Sequence, residues 1–125
     1  MPDSRPEGAD LVAVVRAWLE DAVLPGLEGE PRFQCRVAMS LLSMVERELQ
    51  LKPAADGAER QRLQDLTGGA GDLSALNRRL CAQIESGAVA VDDPRLLRHL
   101  DAALRDALAI NNPRWLPPAA PPHSE

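Results

Sequence analysis

Prolines and glycines divide this sequence into five segments, and within each segment the apolar residues recur every three or four positions. That spacing places apolar side chains on one face of an α-helix, in which successive residues turn by about 100°. Because the connections are short and each helix can bury its apolar face only against its neighbours, the pattern predicts a single all-α bundle of five helices. The expected helices cover about residues 9–24, 31–52, 56–67, 73–86 and 93–112.

Composition and length support one helical domain. The 125 residues include one Phe and no Tyr, whereas Ala, Leu, Arg, Glu and Gln, which favour helix, dominate. We expect the bundle to occupy residues 9–116, after a flexible stretch at 1–8. The Pro-rich tail at 117–125 lacks apolar anchors, so we expect it to be disordered. The second helix has the widest apolar arc and is therefore placed at the centre of the bundle.

Two local signals separate the second expected helix from the third. Pro53 lacks the backbone N–H that a helix interior needs, so it is expected to end the second helix by about Lys52. Asp56 can then cap the third helix, with Glu59 reaching back as in a capping box.

Charge and cysteine usage limit the kinds of partner and the compartment. The net charge of −5 argues against nucleic acid or an anionic membrane as the main partner. No apolar run approaches the roughly 18 residues of a membrane span, and the first ten residues show no signal peptide. The two cysteines, Cys35 and Cys81, have no CxxC spacing and fit free thiols in a reducing compartment. These features predict a cytoplasmic protein.

The sequence shows no recognisable catalytic or cofactor motif. The glycines of "TGGAG" (residues 67–71) lack the lysine of a phosphate-binding loop and any preceding strand. His99 and His123 are the only histidines, and no carboxylates are spaced around them as metal ligands would be. We therefore predict a protein that is not an enzyme and that binds no metal or cofactor.

One charged residue stands among the apolar residues of the second helix. Glu48 projects about 20° from Leu41 on the helical wheel, inside the apolar arc. A buried carboxylate costs several kcal/mol unless it is paired. Either Glu48 forms a buried ion pair with an arginine of another helix, such as Arg16 or Arg79, or it is a polar anchor at a docking surface. The buried ion pair is our prediction.

A polar stripe follows another side of the same helix. It consists of Arg36, Ser40, Ser43 and Arg47. A solvated helix face is the simplest interpretation of such a stripe. The alternative is an interaction surface, because the small serines would let another chain approach closely.

The end of the last helix carries an unexpected aromatic residue. In "INNPRWL", residues 110–116, Asn-Pro is enough to stop the helix. Trp115, which follows Arg114, is not needed for that purpose. We therefore expect Trp115 to dock either on this domain or on a partner.

Several stretches together resemble a known family. Their order and spacing are similar to those of small bacterial proteins that carry the domain catalogued as DUF6285, over roughly residues 5 to 114. The family pattern has Asn where Ser40 stands here. The stretches are "RP" (5–6), "WLEDAVLPGL" (18–27), "RVAMSLLSMVEREL" (36–49), "IESGAV" (84–89), "LLRHL" (96–100) and "LAINNPR" (108–114).

The resemblance implies a function as an accessory subunit. Such proteins are typically encoded beside a kinase of the aminoglycoside-phosphotransferase type and an acyl-CoA dehydrogenase. In the setting that is best understood, the kinase phosphorylates a 4-hydroxyacyl-CoA and the dehydrogenase-like enzyme removes the phosphate. We therefore expect this chain to be a non-catalytic partner of such a kinase. The residues expected to contact the kinase are Arg36, Ser40, Arg47, Arg114 and Trp115.

Two other functions are weighed against this one. The first is a binding domain that holds an acyl chain in the bundle core, with Arg36 or Arg47 meeting a phosphate group. The second is a minor enzyme that uses Glu48 as a general base. A binder needs an apolar cavity of several hundred Å³, whereas an accessory subunit can expose an apolar patch instead. The sequence leaves open whether the chain forms a homo-oligomer.

Overall fold

The computed structural model describes residues 7–117, and among these residues it contains helices and no strand. The all-α prediction is therefore confirmed. Apart from residues 7, 8 and 117, the flexible ends predicted from the sequence lie outside the described residues. The elements are α1 (Gly8–Trp18), a π-helical turn (Leu19–Val23), a 3-10 turn (Leu24–Gly26), α2 (Gly29–Thr67), α3 (Leu73–Ser86), α4 (Pro94–Asn111) and a 3-10 turn (Pro113–Trp115).

The described residues form four α-helices, because α2 continues through Pro53 for 39 residues. The prediction of five helices is wrong at this point. Proline removes one backbone hydrogen bond, but each further helical residue on either side adds one, and Lys52, Ala54 and Ala55 favour helix. Asp56, expected to cap a separate helix, lies in the interior of α2.

The sequence predicts one bundle, but the chain divides into two compact units between Ala54 and Ala55. The first unit contains α1 and the α2 residues up to Ala54. Gly8, at the start of α1, lies against the side chain of Leu49. Near the start of α2, Arg32 donates a hydrogen bond of 2.9 Å to the carbonyl of Leu24, beyond the end of α1. The two helices of this unit are therefore antiparallel.

The second unit is built around a small leucine-rich core. It contains the end of α2 together with α3 and α4. Leu63 and Leu76 are completely buried. Each helix places apolar residues three and four positions apart towards the others. The core residues are Leu63, Leu76, Leu80, Val89 and Leu96, with Leu73 and Ile84 packed against them.

Capping contacts fix the helix ends of the second unit. The Asp72 side chain accepts a hydrogen bond of 2.8 Å from the backbone N–H of Ala75 and so caps α3. The Asp93 side chain caps α4 in the same way, through the N–H of Arg95 at 2.8 Å. Gly87 ends α3 with φ of 81°, a conformation that favours glycine. These three ends agree with the helix boundaries predicted from the sequence.

The predicted central position of the second helix is wrong. Between Pro31 and Lys52, the part of α2 that was expected to form the centre, Cys35 alone is buried. The buried leucines lie instead in the second unit. The wide apolar arc indicates that this helix can bury a large apolar surface. It does not indicate that residues of the same chain cover that surface.

Candidate functional site

An exposed apolar surface is the main feature of the first unit. Its six side chains each expose between 42% and 59% of their surface. On each helix they recur every three or four residues, which places them on one stripe. Monomeric proteins rarely leave a contiguous apolar patch of this kind uncovered unless it binds something. We call this surface the apolar face, and it consists of Leu11, Val15 and Trp18 from α1 and Val37, Leu41 and Val45 from α2.

The polar stripe of α2 points away from the apolar face. Its residues lie about 100° to 160° around the helix from Leu41. Arg36 and Ser40 are exposed, whereas Ser43 and Arg47 are half-buried. The first unit therefore presents two chemically different sides, one apolar and one carrying arginines and serines.

The remaining residues predicted to bind a partner lie in the second unit. Arg114 and Trp115 belong to the 3-10 turn that follows α4, and both are exposed. The indole of Trp115 does not dock into its own domain, because 73% of the residue's surface is accessible. Of the two interpretations weighed for Trp115, contact with a partner is the one this exposure favours.

Glu48 is exposed, so the predicted buried ion pair is wrong. The carboxylate continues the stripe of Leu41 and Val45 along α2, but that stripe faces outward and the charge stays hydrated. Arg16, one of its expected partners, instead pairs through Nε with Glu46 at 3.1 Å. Glu48 does lie within the apolar arc of the helix, as predicted, but this arc does not face a core.

A small pocket lies in the second unit. Its volume is about 210 Å³. Positively charged residues dominate its lining, although the chain as a whole has a net charge of −5. The lining residues are Arg62, Asp65, Leu66, Arg95, Arg98 and His99.

His99 and Arg62 form the polar contact at this pocket. His99 is only 3% exposed, and its Nδ1 accepts a hydrogen bond of 3.1 Å from Arg62 Nε. Burial lowers the pKa of His99 below its usual value, and the positive charge of Arg62 lowers it further, whereas Glu59 opposes the change. The imidazole that accepts from Arg62 is therefore the neutral form.

The arginines that line the pocket differ in how far neighbouring groups already neutralise their charges or accept their hydrogen bonds. Arg95 binds Asp93 at 3.1 Å, and hydrogen bonds from Arg95 lower the pKa of that carboxyl group. The Nη2 atom of Arg62 is buried and has no hydrogen-bond partner among the described residues. Buried guanidinium groups normally have their donors satisfied, so Arg62 is an exception at this pocket.

The sequence contained only a weak signal for this pocket. Arg95 and Arg98 precede His99 by four and one residues, which places all three near one another on α4. Arg62, however, contacts His99 across 37 residues of sequence. No local pattern links them, so the sequence alone does not predict their contact.

The part of the chain that the structure describes contains neither a cluster of metal-binding side chains nor a membrane-spanning helix. No group of three or more His, Cys, Asp or Glu side chains in residues 7–117 is arranged to hold a metal ion. None of the helices within this range is both long and apolar enough to span a membrane.

Comparison with protein families identifies the chain. A family model described as "Domain of unknown function (DUF6285)" matches residues 25–115, which is more than half of the sequence. The chain belongs to the DUF6285 family. The matched region of this DUF6285 protein includes α2, α3 and α4, and with them the polar stripe, the pocket and Trp115. Searches of curated proteins and of solved structures found no match to the chain.

Proposed function

We propose that this DUF6285 protein is a non-catalytic accessory subunit of a kinase of the aminoglycoside-phosphotransferase type that acts on hydroxyacyl-CoA in hydroxy-acid breakdown. The observation that carries the proposal is the exposure of Arg36 on α2 and of Trp115 after α4. Exposed Arg and Trp side chains are typical of surfaces that bind a partner. The kinase itself, and its substrate, come from the resemblance of the sequence to the family.

The polar stripe of the first unit and the C-terminal turn of the second unit each carry residues that are suited to binding a kinase. Arg and Trp are the residues most enriched among the anchors that dominate interface energies. Arg36 and Trp115 are both exposed, and nothing in their own units requires them to be an arginine or a tryptophan. Ser40 lies one turn after Arg36 and leaves room for a partner backbone.

The experiment is co-expression with the neighbouring kinase, followed by purification through a tag on the kinase alone. We expect the DUF6285 protein to co-purify and the kinase to need it for full activity. Arg36→Ala and Trp115→Ala should each weaken binding by about thirtyfold, the factor that corresponds to roughly 2 kcal/mol. Arg47 already interacts within its own chain, so it is a less direct test.

Arg78→Ala is the matched control, because Arg78 is an exposed arginine on α3 outside both surfaces. It should leave co-purification unchanged. A purified kinase that is fully active without this protein would overturn the accessory-subunit proposal. If wild-type protein binds and both variants bind equally well, the kinase uses a different surface.

The pocket in the second unit supports a second candidate, a binding site for a compact oxyanion such as a carboxylate or phosphate group. Its arginines attract an anion, and Arg62, one of the lining residues, has a buried Nη2 atom that has no hydrogen-bond partner among the described residues. The volume of about 210 Å³ is less than a typical ligand site and favours a small anion over an acyl chain. Glu48 does not line this pocket, so nothing here supports its proposed use as a general base.

The two histidines make this second candidate easy to test. We expect addition of inorganic phosphate, at constant ionic strength, to shift the ring resonances of His99 saturably in an NMR titration. His123, outside the described residues, is the internal reference. Acetate in a parallel titration distinguishes a carboxylate from a phosphate preference. Arg98→Gln should weaken the response and Arg78→Gln should not. A linear, unsaturable shift with both anions would eliminate the site.

A further inference from the structure

We infer that the apolar face is covered by a second copy of this chain, paired antiparallel along α2 with the two-fold axis at Leu41. The half of the apolar face that α2 supplies lies on the same helix as Glu48, whose carboxylate is exposed. In a symmetric antiparallel dimer, the residue at a given distance before Leu41 in one copy lies opposite the residue at the same distance after Leu41 in the other copy. The distribution of side chains about Leu41 is therefore the critical observation.

Seven exposed residues on one face of α2 are arranged symmetrically about Leu41. Residues four positions before and after it are both Val, and residues seven positions away are Gln and Glu. Eleven positions away, the pair is Glu and Lys. These spacings of three and four are those of a helix that packs along its length against another helix. All seven positions are exposed, and in order they are Glu30, Gln34, Val37, Leu41, Val45, Glu48 and Lys52.

Charge complementarity selects the antiparallel orientation. When two copies of α2 pair about Leu41, the amide of Gln34 faces the carboxylate of Glu48 from the second copy. The carboxylate of Glu30 lies opposite Lys52, which also interacts within its own chain. Each of these contacts occurs twice because of the symmetry. A parallel pair would instead place Glu48 against Glu48, which is repulsive. The apolar centre is the same in both cases, so the polar ends determine the orientation.

The dimer also gives α1 a surface to pack against. Leu11, Val15 and Trp18 supply half of the apolar face, and Trp18 is its largest side chain. Two antiparallel hairpins that pair through such faces form a four-helix arrangement with an apolar interior. The polar stripe lies on a different side of α2, so the dimer leaves Arg36 and Ser40 accessible for the proposed kinase contact.

The test is the mass of the purified protein in solution, measured by sedimentation equilibrium at concentrations up to about 100 μM, where dissociation constants in the micromolar range are resolved. We expect a dimer of twice the 13.5 kDa chain mass. Leu41→Glu places two carboxylates against each other at the two-fold axis and should give a monomer. Leu104→Glu is the matched control, since Leu104 is an exposed leucine on α4 outside the apolar face, and it should remain dimeric.

A second variant tests the orientation. In the antiparallel dimer Gln34→Lys creates two ion pairs with Glu48 of the opposite copy, so the dimer should dissociate with a constant about fivefold lower. In a parallel dimer the same change places two lysines together and weakens association. Addition of Glu48→Lys to Gln34→Lys should reverse the gain in the antiparallel case.

The outcomes separate this inference from the proposed function. A wild-type protein that is monomeric throughout the concentration range would overturn the dimer, as would an equally dimeric Leu41→Glu variant. Weaker association of Gln34→Lys would overturn the antiparallel orientation. Circular dichroism of each variant checks that helix content is retained. The Leu41→Glu monomer should still co-purify with the kinase, because the polar stripe is unchanged.

Discussion

The two units of this DUF6285 protein differ in how much of their apolar surface they bury by themselves. In the second unit five apolar side chains form a closed core around Leu63 and Leu76. In the described part of the first unit, Ala9 and Cys35 are the buried apolar residues, both of them small. Helical propensity is similar in the two, so the difference lies in packing. The second unit has a core that stabilises its helices, whereas the first has helices whose apolar sides are complete only in an assembly.

The largest effect should come from removing a core leucine of the second unit. Leu63→Ala leaves a cavity at a residue with no exposed surface, and the free energy of unfolding should fall by about 2–5 kcal/mol. Urea unfolding followed by circular dichroism measures the change. Leu104→Ala, at an exposed leucine, should alter stability by less than about 0.5 kcal/mol. Similar losses for the two variants would contradict the core assigned here.

The next effect concerns local opening of the first unit. In the monomeric Leu41→Glu variant, backbone amides of α1 should exchange with solvent at least about tenfold faster than those of α3, because α1 has few buried contacts. Amide hydrogen exchange read by mass spectrometry gives both rates in one experiment. In the wild-type dimer the difference between the exchange rates of α1 and α3 should be smaller. Equal protection of the two helices in the monomer would show that the first unit is stable without the apolar face being covered.

The pH dependence of the second unit should follow His99. Since burial and Arg62 lower its pKa in the folded state, the unfolded chain takes up a proton more readily. Stability is therefore greatest above the unfolded pKa of about 6.5 and declines as the pH falls below that value, by at most about 1.4 kcal/mol per pH unit. Urea midpoints measured between pH 5 and 8 should show this slope.

His99→Asn keeps a possible acceptor for Arg62 but cannot titrate, so this variant should lose much of the slope between pH 5 and 7. His123→Gln should retain it. A wild-type slope in the His99→Asn variant would assign the pH dependence to other groups.

The smallest effects are expected at the carboxylates of the first unit. The ion pair of Arg16 and Glu46 is partly exposed, so Glu46→Gln should cost less than about 1 kcal/mol. Glu48→Gln should be nearly neutral in the monomer, because its carboxylate is hydrated. A loss of 3–5 kcal/mol, the amount expected for a broken buried pair, would show that Glu48 is buried after all.

Local signals in the sequence predicted the second unit better than the first. Asp72, Gly87 and Asp93 act on the residues beside them, so the ends of α3 and α4 could be read from the sequence. Pro53 is an equally clear local signal, but the cooperativity of a long helix overrides it. The helix end that the sequence predicts at Pro53 is therefore absent from α2.

The candidate sites depended on information that lies outside any local pattern. The wheel position of Glu48 was correct, but whether its arc faces a core or a partner depends on the other helices. The contact of Arg62 with His99 joins residues from different helices and leaves no periodic trace. Arg36, Ser40, Arg114 and Trp115, which were predicted to contact a partner, lie at the surface, yet surface position alone does not identify what they bind.

The two thiols give each unit its own chemical reporter. Cys81 is exposed on α3, whereas Cys35 is buried on α2. A maleimide dye should therefore react quickly with Cys81, which adds one dye per native chain. It should react with Cys35 only when the hairpin of α1 and α2 opens. The delay between attachment of the first and the second dye thus reports how fast the hairpin opens. Any molecule that closes over the apolar face should lengthen it, whether or not its identity is known.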